Sequence, residues 1–196
     1  VKVLHQRVPG MCLILLVFAI CQREDPRLCC RDPTCIMVGD HNQHGVIRHI
    51  TEANKKDSIK FLSHWQEKFR DKEDKPPFFL TTSFFATHAQ DGVIPSYEPQ
   101  NSTRKWIYPD SMEIPVPKTA TEEHYQQLPE FLIKGNNEGR TRWKNRFEPK
   151  DFQKNIKDMY AMATEVDAAI GAIIDKIKSL GAYEDTILIF TTDNGN

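Results

Sequence analysis

The sequence predicts an α/β protein with a mostly parallel central sheet flanked by helices, and three stretches carry that prediction. Phe78 to Phe85 is an uncharged run of aromatic and β-branched residues placed directly after a helical pattern. Residues 156–180 repeat apolar side chains every three or four positions. Thr186-Ile-Leu-Ile-Phe-Thr-Thr192 is a second continuous apolar run. Strands apolar along their whole length suit a parallel sheet covered on both faces, and the order helix, turn, strand is what βαβ crossovers produce.

At the amino end, the apolar run Met11 to Cys21 is shorter than the roughly 20 residues a membrane-spanning helix needs. Preceded by Lys2 and Arg7, it fits the core of a secretory signal; a buried strand or helix is the other reading. All five cysteines fall within the first 35 residues, and an odd count leaves at least one thiol outside any intramolecular disulfide. Cys30 and Cys35 with His41 and His44 supply the ligand types of a structural zinc site, against the alternative of unrelated cysteines and solvent-facing histidines.

From about residue 45 the pattern becomes regular. Asn54 is expected to cap a helix whose packed face carries Ile59, Leu62, Trp65 and Phe69. The charged run Arg70 to Lys75 reads as an exposed connector, and Pro76-Pro77 stops the helix from continuing. The run 78–85 is then expected as a central strand. His88 follows it, where the carboxyl ends of strands form the ligand crevice of an open α/β sheet.

Residues 92–146 read as a long surface insertion broken by Pro95, Pro99, Pro109, Pro115 and Pro117, with a short helix expected within 122–132. Asn101-Ser102-Thr103 is an N-glycosylation sequon. Arg140, Arg142, Lys144 and Arg146 alternate around Trp143, and an extended segment would set all four on one side as a surface for a polyanion. Solvated charges paired with nearby acids are the blander reading.

The helical stripe runs Ile156, Met159, Tyr160, Ala163, Val166, Ile170, Ile173, Ile174, Ile177 and Leu180, with Gly181 placed to end it. Residues 155–192 thus form the second half of a crossover that returns its strand to the sheet of residues 78–85. Asp193-Asn194-Gly195 follows that strand. A carboxylate beside an amide oxygen at a strand end suits a hard cation such as Ca²⁺, although Asp-Asn-Gly is also a favoured turn. The topology places His88 and Asp193-Asn194 at one edge of the same sheet. With 26 Lys+Arg against 27 Asp+Glu, composition indicates neither nucleic-acid binding nor firm membrane association.

Several motifs in sequence order carry a resemblance across about three quarters of the chain. They are Pro77-Phe78-Phe79-Leu80 with Ala86-Thr87-His88, Asn137-Glu138-Gly139-Arg140 with Arg142-Trp143, the stretch Tyr160 to Gly171, and Phe190-Thr-Thr-Asp-Asn-Gly195. From about Gly45 to Asn196 the chain resembles the arylsulfatase-type sulfatases of the alkaline-phosphatase-like superfamily. That resemblance implies part of an alkaline-phosphatase-like sandwich. It also makes Asp193 and Asn194 two ligands of an active-site divalent cation, usually calcium, and His88 a catalytic and substrate-binding histidine beside the sulfate group.

The resemblance further implies a formylglycine nucleophile made from Cys or Ser in Cys/Ser-x-Pro-x-Arg, and no cysteine or serine of this chain begins that motif. The upstream aspartate pair, the lysine and histidine near the nucleophile and the lysine after the last turn also lack counterparts. The chain is therefore expected to comprise a cysteine-rich segment, 1–44, and a partial catalytic domain, 45–196, truncated at both ends and inactive alone. The complete enzyme is expected to cleave a sulfated small molecule or glycan in the secretory pathway, outside the cell or in the lysosome. A phosphatase or phosphodiesterase of the same superfamily, or an inactive glycan-binding product, are the alternatives.

Overall fold

The computed structural model describes residues 12–18, 35–38, 49–73, 75–90 and 95–192, the first two segments as backbone only. The strands are β1 (Cys12–Phe18), β2 (Cys35–Val38), β3 (Phe79–Ser83) and β4 (Thr186–Thr192). The helices are α1 (Ile50–Lys68), α2 (Asn101–Ile107), α3 (Glu122–Gln126), α4 (Glu130–Ile133), α5 (Glu138–Phe147) and α6 (Pro149–Ser179). Two compact units result: Val1–Ala86 with Val166–Asn196, and Thr87–Glu165. The described residues are rich in helix and hold few strands.

In the first unit all strand pairings are parallel and the spatial order is β2-β3-β1-β4. Residues 78–85 do provide an interior strand, since β3 pairs with β2 on one side and β1 on the other. Of the two readings of residues 11–21, the strand is the one adopted, with Leu13 opposite Phe79 and Ile187. Along β3 alternate residues Leu80 and Thr82 are buried, the period of two expected for one covered face.

Helix α1 packs on β3 through a face that is polar at its amino half. Thr51, Asn54, Ser58, Leu62 and Trp65 are its buried residues, at helical spacing. Asn54 is not the cap: His49 holds that position, and the buried Asn54 side chain donates from Nδ2 to the Ser83 carbonyl at 2.7 Å. An interior asparagine gains more here from closing a strand-end carbonyl than from capping. Ser58 Oγ donates to Asn54 O at 2.8 Å, which leaves Thr82 Oγ1 to donate to Ser58 across the 2.8 Å gap between helix and strand. Farther along, Trp65 Nε1 donates to Pro76 O at 3.0 Å while its ring meets Phe78 edge-on at 5.1 Å between centroids.

Helix α6 begins seven residues before the apolar stripe, at Pro149. Proline suits a first helical position because its missing N–H would have no partner inside the helix. The Glu148 carbonyl accepts from Asp151 N and Phe152 N, both at 2.9 Å. At the other end Gly181 takes φ +68°, with Ala182 N bonded to Ile177 O and Gly181 N to Lys178 O. These two bonds close the last turn as the Schellman motif does, and fulfil the expectation for this glycine. Val166, Ala169, Ile173 and Ile177 are buried in the first unit, whereas Tyr160, expected on the apolar stripe, is 40% exposed.

Strand β4 departs from expectation. It reads as a buried strand, but it occupies one edge of the described sheet, with Ile187, Ile189 and Phe190 at 41%, 40% and 63% exposure. Continuous apolarity reports what a strand is suited to meet, and here Leu188 is half-buried while Ile187, Ile189 and Phe190 stay exposed. No described helix is long and apolar enough to cross a membrane.

The second unit corrects the picture of an irregular insertion. Residues 101–147 contain four helices, and the prolines fall between them rather than within them. Arg140, Arg142, Lys144 and Arg146 lie on α5, not on an extended segment. Alternate residues of a helix are turned by about 200°, so the four cations do not share one side.

Candidate functional site

His88 stands five residues beyond β3, at the start of the second unit. Ala86 and Ala89 on either side of it are buried, as is its own Nδ1. Gln90 N donates to Ser96 O at 2.7 Å, closing the chain on itself just after the histidine, and the Tyr97 side chain that follows is buried near Phe147 at 6.2 Å between ring centroids. The imidazole is thus carried on a short connection anchored by buried neighbours at both ends.

Asp193 and Asn194, the expected cation ligands, lie outside the described residues. So do Cys30, His41 and His44 of the zinc reading, and Cys35 is described only as backbone. Among the described residues no group of three or more His, Cys, Asp and Glu side chains is placed to hold a metal ion. The donor chemistry of Asp193 and Asn194 still fits calcium: both offer oxygen, the atom a hard cation prefers, and the remaining ligands of a six- to eight-oxygen shell must come from elsewhere.

The motif at 137–143 has clear local roles. In Asn137-Glu138-Gly139-Arg140, Asn137 caps α5 by accepting from Arg140 N at 2.9 Å and donates from Nδ2 to Leu132 O at 2.8 Å. Glu138 pairs with Arg142 one turn on, at 2.7 Å. A Cβ at Gly139 would sit 3.4 Å from Asn137 Oδ1, pressing on the cap. Arg140 reaches Glu122 on α3 and lies over two rings, its Cζ 4.1 Å from the centroid of Tyr125 and 5.0 Å from that of Trp143.

Helix α6 contributes buried charges that apolar periodicity does not reveal. Lys157, Asp158 and Glu165 are each about 5% exposed or less. Glu165 accepts from Gln100 N, the residue before α2, at 2.7 Å. Lys157 donates to the carbonyls of Met112 at 2.9 Å and Asp110 at 3.2 Å. Asp158 accepts from Arg104 Nε and Lys154 Nζ, both at 2.6 Å, and Arg104 also binds Asp110 at 2.6 Å. Burial works against the Arg104 charge, but its bonds to Asp110 and Asp158 outweigh that and raise its pKa. The one trace in sequence is that 158, 161, 162, 165 and 166 share a face, two of them acids.

The sulfatase family profile matches residues 20–196. Among solved structures, the candidate sulfatase yidJ from Bacteroides fragilis is similar at 23% identity and a TM-score of 0.44. The match covers 74% of this chain and 25% of that one, so the chain spans about a quarter of its length. A comparison with curated proteins gives no match.

Proposed function

The chain belongs to the sulfatase family and represents part of the family's domain, and from that premise we propose that it is part of a hydrolase that cleaves sulfate esters. The family match over residues 20–196 carries the reading. In the complete domain the parallel sheet is covered on both faces as an alkaline-phosphatase-like sandwich, which would bury the exposed apolar side chains of β4.

His88 holds the sulfate group by donating a hydrogen bond to one of its oxygens, and the imidazole can help the leaving alkoxide depart. Asp193 and Asn194 are two of the calcium ligands. When bound, calcium neutralises charge on the sulfate oxygens. Gly195, lacking a Cβ, lets the backbone turn beside these ligands. The formylglycine nucleophile has no origin in this sequence, because no Cys or Ser begins Cys/Ser-x-Pro-x-Arg. No attack step is therefore assigned to these residues, and the 196-residue chain by itself is inactive.

The substrate is a sulfated small molecule or glycan, met in the secretory pathway, outside the cell or in the lysosome. The sequon at Asn101 supports that location. The test compares the 196-residue chain with its full-length parent protein on an aryl sulfate in calcium. Turnover by the parent alone is expected; turnover by the chain alone would contradict the assignment of the nucleophile to another segment.

A further inference from the structure

We propose that Asn101 is a modification site that carries an N-linked glycan on its side-chain amide nitrogen. Asn101-Ser102-Thr103 meets the acceptor pattern Asn-x-Ser/Thr, with serine rather than proline in the middle, and no other asparagine of the 196 residues begins that pattern. So short a pattern arises often by chance, and the surroundings of the amide decide whether it can be used.

Those surroundings leave the amide available. Asn101 opens α2 and is exposed together with Ser102, while Thr103 is half-buried. The bonds that fix the start of this helix belong to its neighbours. Gln100 O accepts from Arg104 N at 3.0 Å, Gln100 N donates to the buried Glu165 carboxylate at 2.7 Å, and Arg104 ties α2 to Asp158 of α6. The Asn101 side chain takes part in no hydrogen bond or ion pair among the described residues. Asn54 and Asn137 differ in this respect, since each gives its amide nitrogen to a carbonyl, Ser83 O and Leu132 O. A bulky group joined to Asn101 therefore breaks nothing that holds the fold.

The site also has room. An open groove of about 950 Å³ is lined by Asn101 with Arg104, Lys105, Lys150 and Lys154. Long lysine side chains bring several N–H donors to sugar hydroxyls there without moving a packed residue. All five residues belong to the unit Thr87–Glu165.

The co-reactant is a lipid-linked oligosaccharide diphosphate, used by a transferase of the secretory pathway, so the modification rests on the location proposed above. Asn101 Nδ2 forms a bond to the anomeric carbon of the first sugar while the bond from that carbon to the diphosphate oxygen breaks. The lipid diphosphate leaves with the bonding pair, and the nitrogen gives up one proton to a base of the transferase.

Two expressions separate the site from the location. In the first, the 196-residue chain enters the secretory pathway of a eukaryotic cell behind an added signal sequence and is recovered from the lumen or the medium. A heavier species is expected that peptide-N-glycosidase returns to the unmodified mobility, with the amide at position 101 converted to a carboxylate in the peptide read by mass spectrometry. Asn101→Gln and Thr103→Ala should each abolish that species. Glycosylation precedes folding in this pathway, so the result does not depend on how well either variant folds. An unmodified Asn101 in the recovered chain, or a heavier species that persists in both variants, would overturn the proposal. In the second, the full-length parent protein is expressed with no added signal, and the same glycan on Asn101 is expected. A glycan in the first expression and none in the second would contradict the secretory location and not the acceptor site.

Discussion

Arg104 Nε meets the Asp158 carboxylate at 2.6 Å, with 18% of the arginine side chain and 7% of the aspartate side chain exposed. This buried pair joins α2 to α6 within the second unit, and Lys154 shares the same carboxylate. Removing one member of a buried pair leaves an uncompensated charge, so Asp158→Ala should destabilise the chain by about 3 kcal/mol. Asp110→Ala, which removes the exposed partner of the same arginine, should cost much less. Denaturant unfolding of both variants gives the comparison.

The bond between Ser58 and Thr82 leads to a second expectation. Ser58→Ala strands the buried Thr82 hydroxyl and should cost about 1–3 kcal/mol. Adding Thr82→Val removes the stranded group. The double variant should therefore be less destabilised than the sum of the two single variants, as read by equilibrium unfolding.

Acid behaviour follows from Asp110. Its hydrogen bond and proximity to Arg104 hold its pKa below the ordinary 3.8. A group depressed in the folded state contributes stability that is fully present above its unfolded pKa and is lost as pH falls through the folded value. The pH dependence of stability should thus steepen below pH 3.8 and flatten there in Asp110→Asn. An unchanged acid limb in that variant would show that Asp110 is not the group responsible.

Within the full-length parent protein, His88→Ala should lower sulfate-ester turnover by a factor on the order of a hundred or more, with the thermal transition unchanged. Wild-type kinetics in a folded His88→Ala enzyme would remove the histidine from the site.

Calcium dependence bears on the other two residues. Asp193→Ala should raise the calcium concentration needed for half-maximal turnover at least ten-fold, because the proposed function makes Asp193 a charged ligand of the shell. The same calcium requirement in variant and wild type would place the ion elsewhere.

What could be read directly from the sequence was periodicity and chain punctuation. The run 78–85, the α6 stripe and Gly181 each gave their elements because local physics alone determines them: apolar period, strand composition and the left-handed turn. Helices α2 to α5 were harder to see. They are short, none of them buries a residue completely, and their starts depend on single caps such as Thr121 and Asn137 rather than on an apolar stripe.

Asn54 and β4 show the opposite case, in which a correct local signal meets a different tertiary context. Asn54 is a good cap residue used instead to close Ser83 O, and β4 is an apolar strand placed at an edge. For the candidate site, residue type and order are what single out His88 and the Asp193-Asn194 pair, and the latter lies outside the described residues. Lys157, Asp158 and Glu165 are not, because buried charges are defined by partners 45 to 65 residues away that no local pattern marks.

Parallel assay of an aryl sulfate and the matching aryl phosphate by the full-length parent protein, with calcium present, tests membership in a sulfate-ester hydrolase most directly. Hydrolysis of the sulfate, with the phosphate cleaved far more slowly or not at all, is the expected result. Preferential cleavage of the phosphate would contradict it and favour a phosphatase or phosphodiesterase chemistry.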